Sequence, residues 1–183
     1  MKVAVYGGSF DPPHVSHVLA VAYVLAVGGF ERVIVVPVFR HAFDKALAPF
    51  EHRVRMCELA LRGLPVEVSR VEERLAPPSY TLHTVQQLAD DHPGWELSLV
   101  VGSDVLHETH KWHRFDRLVE LSPLFVLGRA GHDHVGAPPS VLPEVSSSEV
   151  RELLRQRPPL DPRVRALVPQ EVIHHIETHG LYR

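Results

Sequence analysis

Near-continuous runs of Val, Ile and Leu recur along the N-terminal part of the chain: "KVAVYG", "RVIVVPV", "VEVSRVE", "LSLVVG" and "LFVLGR". Such runs read as strands buried on both faces, because a strand with one wet face alternates apolar with polar residues. Helix-length segments lie between them. One runs from about Val15 to Val27, rich in Ala and Leu and ended by Gly28 and Gly29. A second runs from about Pro49 to Leu61, opened by proline and glutamate. "TLHTVQQLADD" is a third, and "VLHETHKWHRFDRLVEL" is a short helical region before the last strand. Buried strands alternating with helices predict a parallel sheet covered on both faces.

The texture changes after Arg129. "AGHDHVGAPPSVLP" reads as a loop rich in Gly, Pro and His, and from Ser147 onward the chain reads as two or three short helices. The expectation is a single α/β domain over residues 1–183: a Rossmann-like, doubly wound parallel sheet over 1–130 and a helical C-terminal subregion over 145–183. A chain of 183 residues buries roughly 70% of its unfolded surface and needs no staples. The single cysteine, Cys57, excludes an internal disulfide and reads as a small buried helix residue. "VLAVAYVLAVGGF" is too short and too glycine-terminated to span a bilayer, and no basic leader precedes it, so a cytoplasmic protein with no membrane partner is expected. A formal charge of −3 gives no overall pull toward nucleic acid either, so any anionic ligand must be attracted locally.

"GGSFDPPHVSH", Gly7 to His17, follows the first strand and leads into the first helix, where open parallel sheets bind their ligands. Gly7 and Gly8 lack side chains, so backbone amides there can approach a ligand closely. Pro12 and Pro13 stiffen the way into the helix, and proline at a first helical position loses no hydrogen bond. With the helix starting there, His14 and His17 fall one turn apart on one face, about 4.5 Å along the axis. Both sit where free N–H groups and the positive end of the helix dipole favour an anion. Two imidazoles beside such a site suit transfer of a phosphoryl-type group, where catalysis is chiefly positioning plus stabilisation of charge on oxygen. They suit hydride transfer poorly. The spacing also permits a metal pair, though no clear third ligand is near, or two incidental residues in a chain with 14 histidines.

The stretch resembles the signature of the nucleotidylyltransferase superfamily, (G)GxFDPxHxGH, in which both histidines face the phosphates of a nucleoside triphosphate. "VSSSEVR", Val145 to Arg151, is similar to that superfamily's ISSTxIR motif. Read from the residues alone, Ser146, Ser147 and Ser148 are N-cap candidates for a helix beginning near Glu149, and such a terminus followed by arginine suits polyphosphate binding or plain capping. Within the superfamily the chain most resembles the nicotinate-nucleotide adenylyltransferases, nearly end to end. "PPSYTLHTVQQL" is similar to that family's PSYTxxTL, and "VVGSDVLHETHKWHRFDRL" to its G-x-D followed by tryptophan. "LFVLGRAG" is similar to its strand ending in Arg-x-Gly, and "HHIETHGLY" to its C-terminal ending.

The resemblance implies an adenylyltransferase of NAD biosynthesis that transfers AMP from ATP to nicotinate mononucleotide, giving deamido-NAD and pyrophosphate without a covalent enzyme intermediate. It implies that His14 and His17 hold phosphate oxygens as charge builds, while amides around Gly7, Gly8, Ser9 and Phe10 contact the nucleotide. Ser147, Ser148 and Arg151, with Ser146 beside them, would hold the β and γ phosphates. Gly102 and Asp104 would meet the adenosine portion, an Asp after a strand being otherwise a common helix cap. Lys45 reads as a phosphate contact or as a solvated surface residue. Trp112 offers a face for a pyridine ring or packs as ordinary core, with Tyr80, Thr81 and Thr84 offering hydroxyls near it. Arg129 would contact phosphate or carboxylate. Mg2+ would bridge phosphate oxygens with few or no protein ligands.

Four features depart from the family pattern. Ser16 stands where the family has glycine between the histidines, which predicts reduced backbone approach there; Ser148 replaces threonine; His113 follows Trp112; and the loop His41 to Lys45 lacks the usual Asn-Pro-Pro-His-Lys character. These leave two rivals open: transfer to another phosphate acceptor, such as nicotinamide mononucleotide or phosphopantetheine, and a nucleotide-binding sensor that has lost turnover. "HETHKWH" and "HHIETH" put His107, His110 and His113, or His175 and His179, at helical spacings. Neither group has an obvious carboxylate or cysteine to complete a site, so no protein-held metal is expected.

Overall fold

Five strands, β1 (Lys2–Gly8), β2 (Arg32–Pro37), β3 (Val66–Val68), β4 (Glu96–Gly102) and β5 (Leu124–Leu127), pair in the order β3-β2-β1-β4-β5. Every pairing is parallel, as the sequence predicts. The computed structural model describes residues 1–40, 46–77, 80–132, 137–156 and 160–183. From β1 the chain steps outward to β2 and β3 on one side, then returns to β4 on the other. The carboxyl ends of β1 and β4, Gly8 and Gly102, therefore open on the crevice where a doubly wound sheet takes its ligand.

The period of two along each strand sorts the core. Val3, Val5, Ile34, Val36, Leu99 and Val101 face one way, onto Leu82, Val85 and Leu88 of α3 (Thr81–Asp91) and Leu118 of α4 (Phe115–Leu121). Ala4, Tyr6, Val33, Val35 and Val100 face the other way, onto Ala20, Val21 and Val24 of α1 (Val15–Val27) and Cys57 of α2 (Phe50–Ala60). Helix α2 also buries Met56 in a third cluster, with Val150 of α5 (Ser147–Arg155), Val164 of α6 (Pro162–Leu167) and Ile173 of α7 (Gln170–His179). Packing on α2 thus carries the helical tail to the rim of the crevice. Among the described residues no helix is long and apolar enough to cross a membrane.

Three details differ from the sequence reading. "VEVSRVE" gives only the short β3, after which Val71–Arg74 coil into a 3-10 helix that buries Glu72. The Glu72 carboxylate accepts the Phe39 N–H at 2.8 Å and the Thr84 hydroxyl at 3.0 Å, and a buried carboxylate requires such donors. "VLHETHKWHRFDRLVEL" divides into a 3-10 helix, Ser103–Lys111, and α4, interrupted at Arg114, whose φ of 49° is left-handed. Pro12 and Pro13 precede α1 rather than occupy its first position. His14 is the N-cap, in an extended conformation.

Candidate active site

With His14 at the N-cap, His17 is the third helical residue, and its ring reaches back so that the His14 backbone N–H donates to His17 Nδ1 at 3.2 Å. This is one half of a capping box, the bond from the third helical residue back to the cap, with imidazole in the usual place of glutamate. The bond needs a lone pair on Nδ1, so neutral His17 carries its proton on Nε2 and is a donor there. The two rings lie side by side, centroids 3.8 Å apart and planes at 39°. Both border a cavity of about 630 Å³ that also touches Asp104, Arg129 and Ser147. His17 borders a second of about 520 Å³, bounded by Ser9, Phe10, Ser148 and Arg151. His14 Nδ1 is buried without a hydrogen-bond partner.

Burial, with the Arg129 guanidinium beside it, lowers the His14 pKa to about 4. His17 is held well below the ordinary imidazole value by burial first, then by His14 and Arg129. Both rings are therefore neutral at pH 7 in the ligand-free protein. In the unfolded chain they take up protons near pH 6.5, so the unfolded state binds more protons as pH falls from about 6.5 toward 4. Stability from these groups is complete above the unfolded value and is lost on acidification. Thermal unfolding between pH 7.5 and 5.5 is expected to show the melting temperature falling with pH, and His14→Gln is expected to flatten the slope. A variant as steep as wild type over that range overturns the assignment.

The second motif is fastened directly to the first. Ser146 caps α5, accepting the Glu149 N–H at 3.1 Å. Ser147 Oγ donates to the Pro12 carbonyl at 3.0 Å. Arg151 donates to the Asp11 carbonyl at 2.7 Å and to Ser148 Oγ at 3.2 Å. The buried Asp11 carboxylate in turn accepts the Ala48 N–H at 3.1 Å and the Tyr182 hydroxyl at 2.7 Å. Burial and the adjacent Asp11 charge raise the Tyr182 pKa, which keeps that hydroxyl a donor. Phe10 turns through a φ of 47°, placing its ring under Gly8, where a Cβ would lie 3.1 Å from it. At Gly7 a Cβ would meet nothing within 4 Å, so its open side faces unfilled space.

Three residues hold this site together, two of which, Arg53 and Tyr182, pattern reading passed over. Arg53, on α2, is 1% exposed and spends its guanidinium on three carbonyls: Ala48 at 2.9 Å, Ser9 at 2.9 Å and Val38 at 2.7 Å. Tyr182 anchors Asp11 from beyond α7. Ser16 is buried, and its hydroxyl donates to the Pro143 carbonyl at 2.7 Å. Ser16, expected to reduce backbone approach to a ligand, borders neither of the two cavities and ties α1 to the segment leading into α5. Only long-range packing reveals these roles. In the sequence Arg53 and Tyr182 read as ordinary helix and tail positions.

Gly102, Asp104 and Arg129 do meet at the end of β4. A Cβ on Gly102 would lie 2.2 Å from Asp104 Oδ1 and 3.2 Å from Arg129 Nε, so glycine is what lets the two side chains fold over that strand end. Asp104 Oδ1 and Arg129 Nε are 4.0 Å apart, each buried without a hydrogen-bond partner, and both residues border the larger cavity. Such unpaired polar atoms at a cavity wall are groups that a ligand can satisfy. The residues predicted to hold a pyridine ring stand apart, and none of Tyr80, Thr81, Thr84 and Trp112 borders either cavity. Tyr80 stacks on His113 with centroids 4.4 Å apart, and Trp112 is half-buried against the core beside Phe115. Thr84 is buried with its hydroxyl proton given to Glu72, so it braces that carboxylate instead of presenting a free donor. Lys45 and the rest of the loop His41 to Lys45 lie outside the described residues.

The histidine groups also sort differently from their spacing. His113 stacks on Tyr80, the His107 ring lies 6.4 Å from that of His132, and among the described residues His107, His110 and His113 form no group of three converging donors. His175 and His179, expected to lack a completing ligand, are joined by His52 from α2.

A doubly wound sheet whose first helix begins with paired imidazoles, with a serine-capped helix fastened to the same loop, defines a nucleotidyltransferase. The cytidylyltransferase-like family matches residues 5–153. A protein of Anaeromyxobacter dehalogenans (strain 2CP-C) named "probable nicotinate-nucleotide adenylyltransferase" is 45% identical over 186 residues, spanning 100% of this chain and 97% of its own. One of the same name from Myxococcus xanthus (strain DK1622) is 38% identical, spanning 100% and 95%. Among solved structures, Plasmodium falciparum nicotinic acid mononucleotide adenylyltransferase complexed with NaAD shares the fold, with a TM-score of 0.81 at 20% identity over 99% of this chain and 97% of that one. The chain belongs to the nicotinate-nucleotide adenylyltransferase family.

Proposed function

We propose that the protein transfers the adenylyl group of ATP to nicotinate mononucleotide, forming deamido-NAD and pyrophosphate. The observation that carries this reading is the fastening of Ser147 and Arg151 onto the Pro12 and Asp11 carbonyls beside the paired imidazoles. It gathers two helix N-termini, two hydroxyls and a guanidinium around one cleft, a donor array suited to a polyphosphate. The full-length likeness to proteins named for this reaction supports the choice of acceptor.

In the reaction, a phosphate oxygen of nicotinate mononucleotide attacks the α-phosphorus of ATP in line, the bond to the β-phosphate oxygen breaks, and pyrophosphate leaves with that electron pair. His17 Nε2–H and the ring N–H of His14 donate to oxygens on which negative charge grows, each as a neutral imidazole. Ser147, Ser148 and Arg151, next to the Ser146 cap, hold the β and γ phosphates. The amides of Gly7, Gly8, Ser9 and Phe10 line the nucleotide, Gly102 and Asp104 receive its other end, and Arg129 beside them meets a phosphate or carboxylate of the acceptor. Tyr80, Thr81 and Trp112 would meet the pyridine ring only from outside the two cavities.

A magnesium ion held mainly by the phosphates fits this donor set. Among the described residues no three His, Cys, Asp or Glu donors converge in the cleft, and Asp104, with a buried unpartnered oxygen, is one carboxylate on the cavity wall available to the water shell of such an ion. When bound, the ion would neutralise charge on the phosphate oxygens. We place the reaction in the cytoplasm, a reducing compartment that suits a lone buried thiol.

Pyrophosphate release with ATP and a panel of acceptors tests the reading. Turnover is expected with nicotinate mononucleotide and at least about tenfold less, or ~1.4 kcal/mol in transition-state binding, with nicotinamide mononucleotide or phosphopantetheine. No release with nicotinate mononucleotide overturns it, and ATP binding without release from any acceptor would favour a sensor.

A further inference from the structure

Away from the cleft, three imidazoles from two helices converge. His52 stands on α2, and His175 and His179 stand one turn apart on α7, which packs along α2. His52 Nδ1 and His175 Nε2 are 3.0 Å apart, and one potential ligand nitrogen from each of the three residues lies within 4.8 Å of the others. A tetrahedral zinc with Zn–N bonds of about 2.05 Å sets neighbouring ligand nitrogens ~3.3 Å apart, a spacing that a small rotation of these rings reaches. His179 Nδ1 lies 2.8 Å from the His175 backbone carbonyl. Donation to that carbonyl places the His179 proton on Nδ1 and leaves Nε2 with a free lone pair, the outer-shell arrangement that orients metal-bound histidines. His52 and His175 are half-buried and His179 is exposed, which leaves a fourth position open to water.

The geometry points to a binding site for one late first-row divalent cation, zinc foremost, formed by His52, His175 and His179 at the α2–α7 contact. Imidazole-only donors select such ions over magnesium or calcium, which take oxygen ligands. The ion would clasp α7 to α2 and so steady the tail whose Tyr182 holds Asp11 in the cleft. It is a structural clasp and takes no part in adenylyl transfer.

Untagged protein stripped with a chelator is titrated calorimetrically with Zn2+, and separately with Co2+ while visible absorption is recorded. One equivalent of each is expected, Co2+ giving the intense bands of a four-coordinate site, and Zn2+ is expected to raise the melting temperature. His179→Ala and His175→Ala should weaken binding by at least about 100-fold and abolish the thermal shift. His110→Ala, outside the cluster, should leave both unchanged. Melting of each variant without metal shows whether it folds, and exposed His179 provides the variant with least to lose. No stoichiometric binding by wild type, or binding unchanged in both cluster variants, overturns the site.

Discussion

Replacing His17 by alanine is expected to lower kcat by roughly 10²–10³-fold while ATP binding changes only a few-fold, the signature of a donor whose bond strengthens as charge develops. His17 qualifies because its Nδ1 is already committed to the His14 N–H, so the ring cannot swing away and its Nε2–H is aimed before substrate arrives. The ring also packs beside Phe10, centroids 5.0 Å apart, and alanine leaves a gap there. The variant should therefore melt lower by a few degrees, and its melting curve must be recorded with its rate so that lost chemistry is separated from lost fold. Single-turnover formation of pyrophosphate, at ATP concentrations that saturate both proteins, is the deciding measurement. A loss of less than tenfold would remove His17 from the transition state and leave it as a helix cap.

The parts of this protein that were legible in sequence are those whose signal is local. The doubly wound sheet follows from the buried runs of β1, β2 and β4, because covering both faces of a strand dictates its composition. The pairing of His14 and His17 follows from one helical turn. With Ser146, Ser147 and Ser148 the sequence marks the helix start, but only the fold separates the cap, Ser146, from Ser147 and Ser148, which reach Pro12 and Arg151. What was not legible depends on residues far apart in the chain. Ser16 meets Pro143 across 127 positions, and His52 meets His175 across 123. No periodicity encodes those distances. Trp112 illustrates the same limit: in a segment read as helical it suits a stacking surface and core equally, and only the fold shows it half-buried beside Phe115.

Arg53 is where that long-range order is most concentrated, and replacing it with methionine is expected to destabilise the protein by about 3–5 kcal/mol. The methionine nearly fills the space but donates nothing, so the carbonyls of Ser9, Val38 and Ala48 lose their shared partner at once. Each carbonyl belongs to a different segment: the glycine-rich turn, the end of β2 and the approach to α2. A guanidinium can serve all three because its donors fan out in one plane, whereas a lysine ammonium acts from a single point. Arg53→Lys should therefore recover only part of the loss. For a chain of this size the methionine variant is expected to melt roughly 10 °C or more below wild type. ATP affinity should fall with it even at temperatures where the variant is folded, because Ser9 is no longer held against the cleft. If Arg53→Met melts within ~2 °C of wild type, these three hydrogen bonds contribute far less than their burial implies.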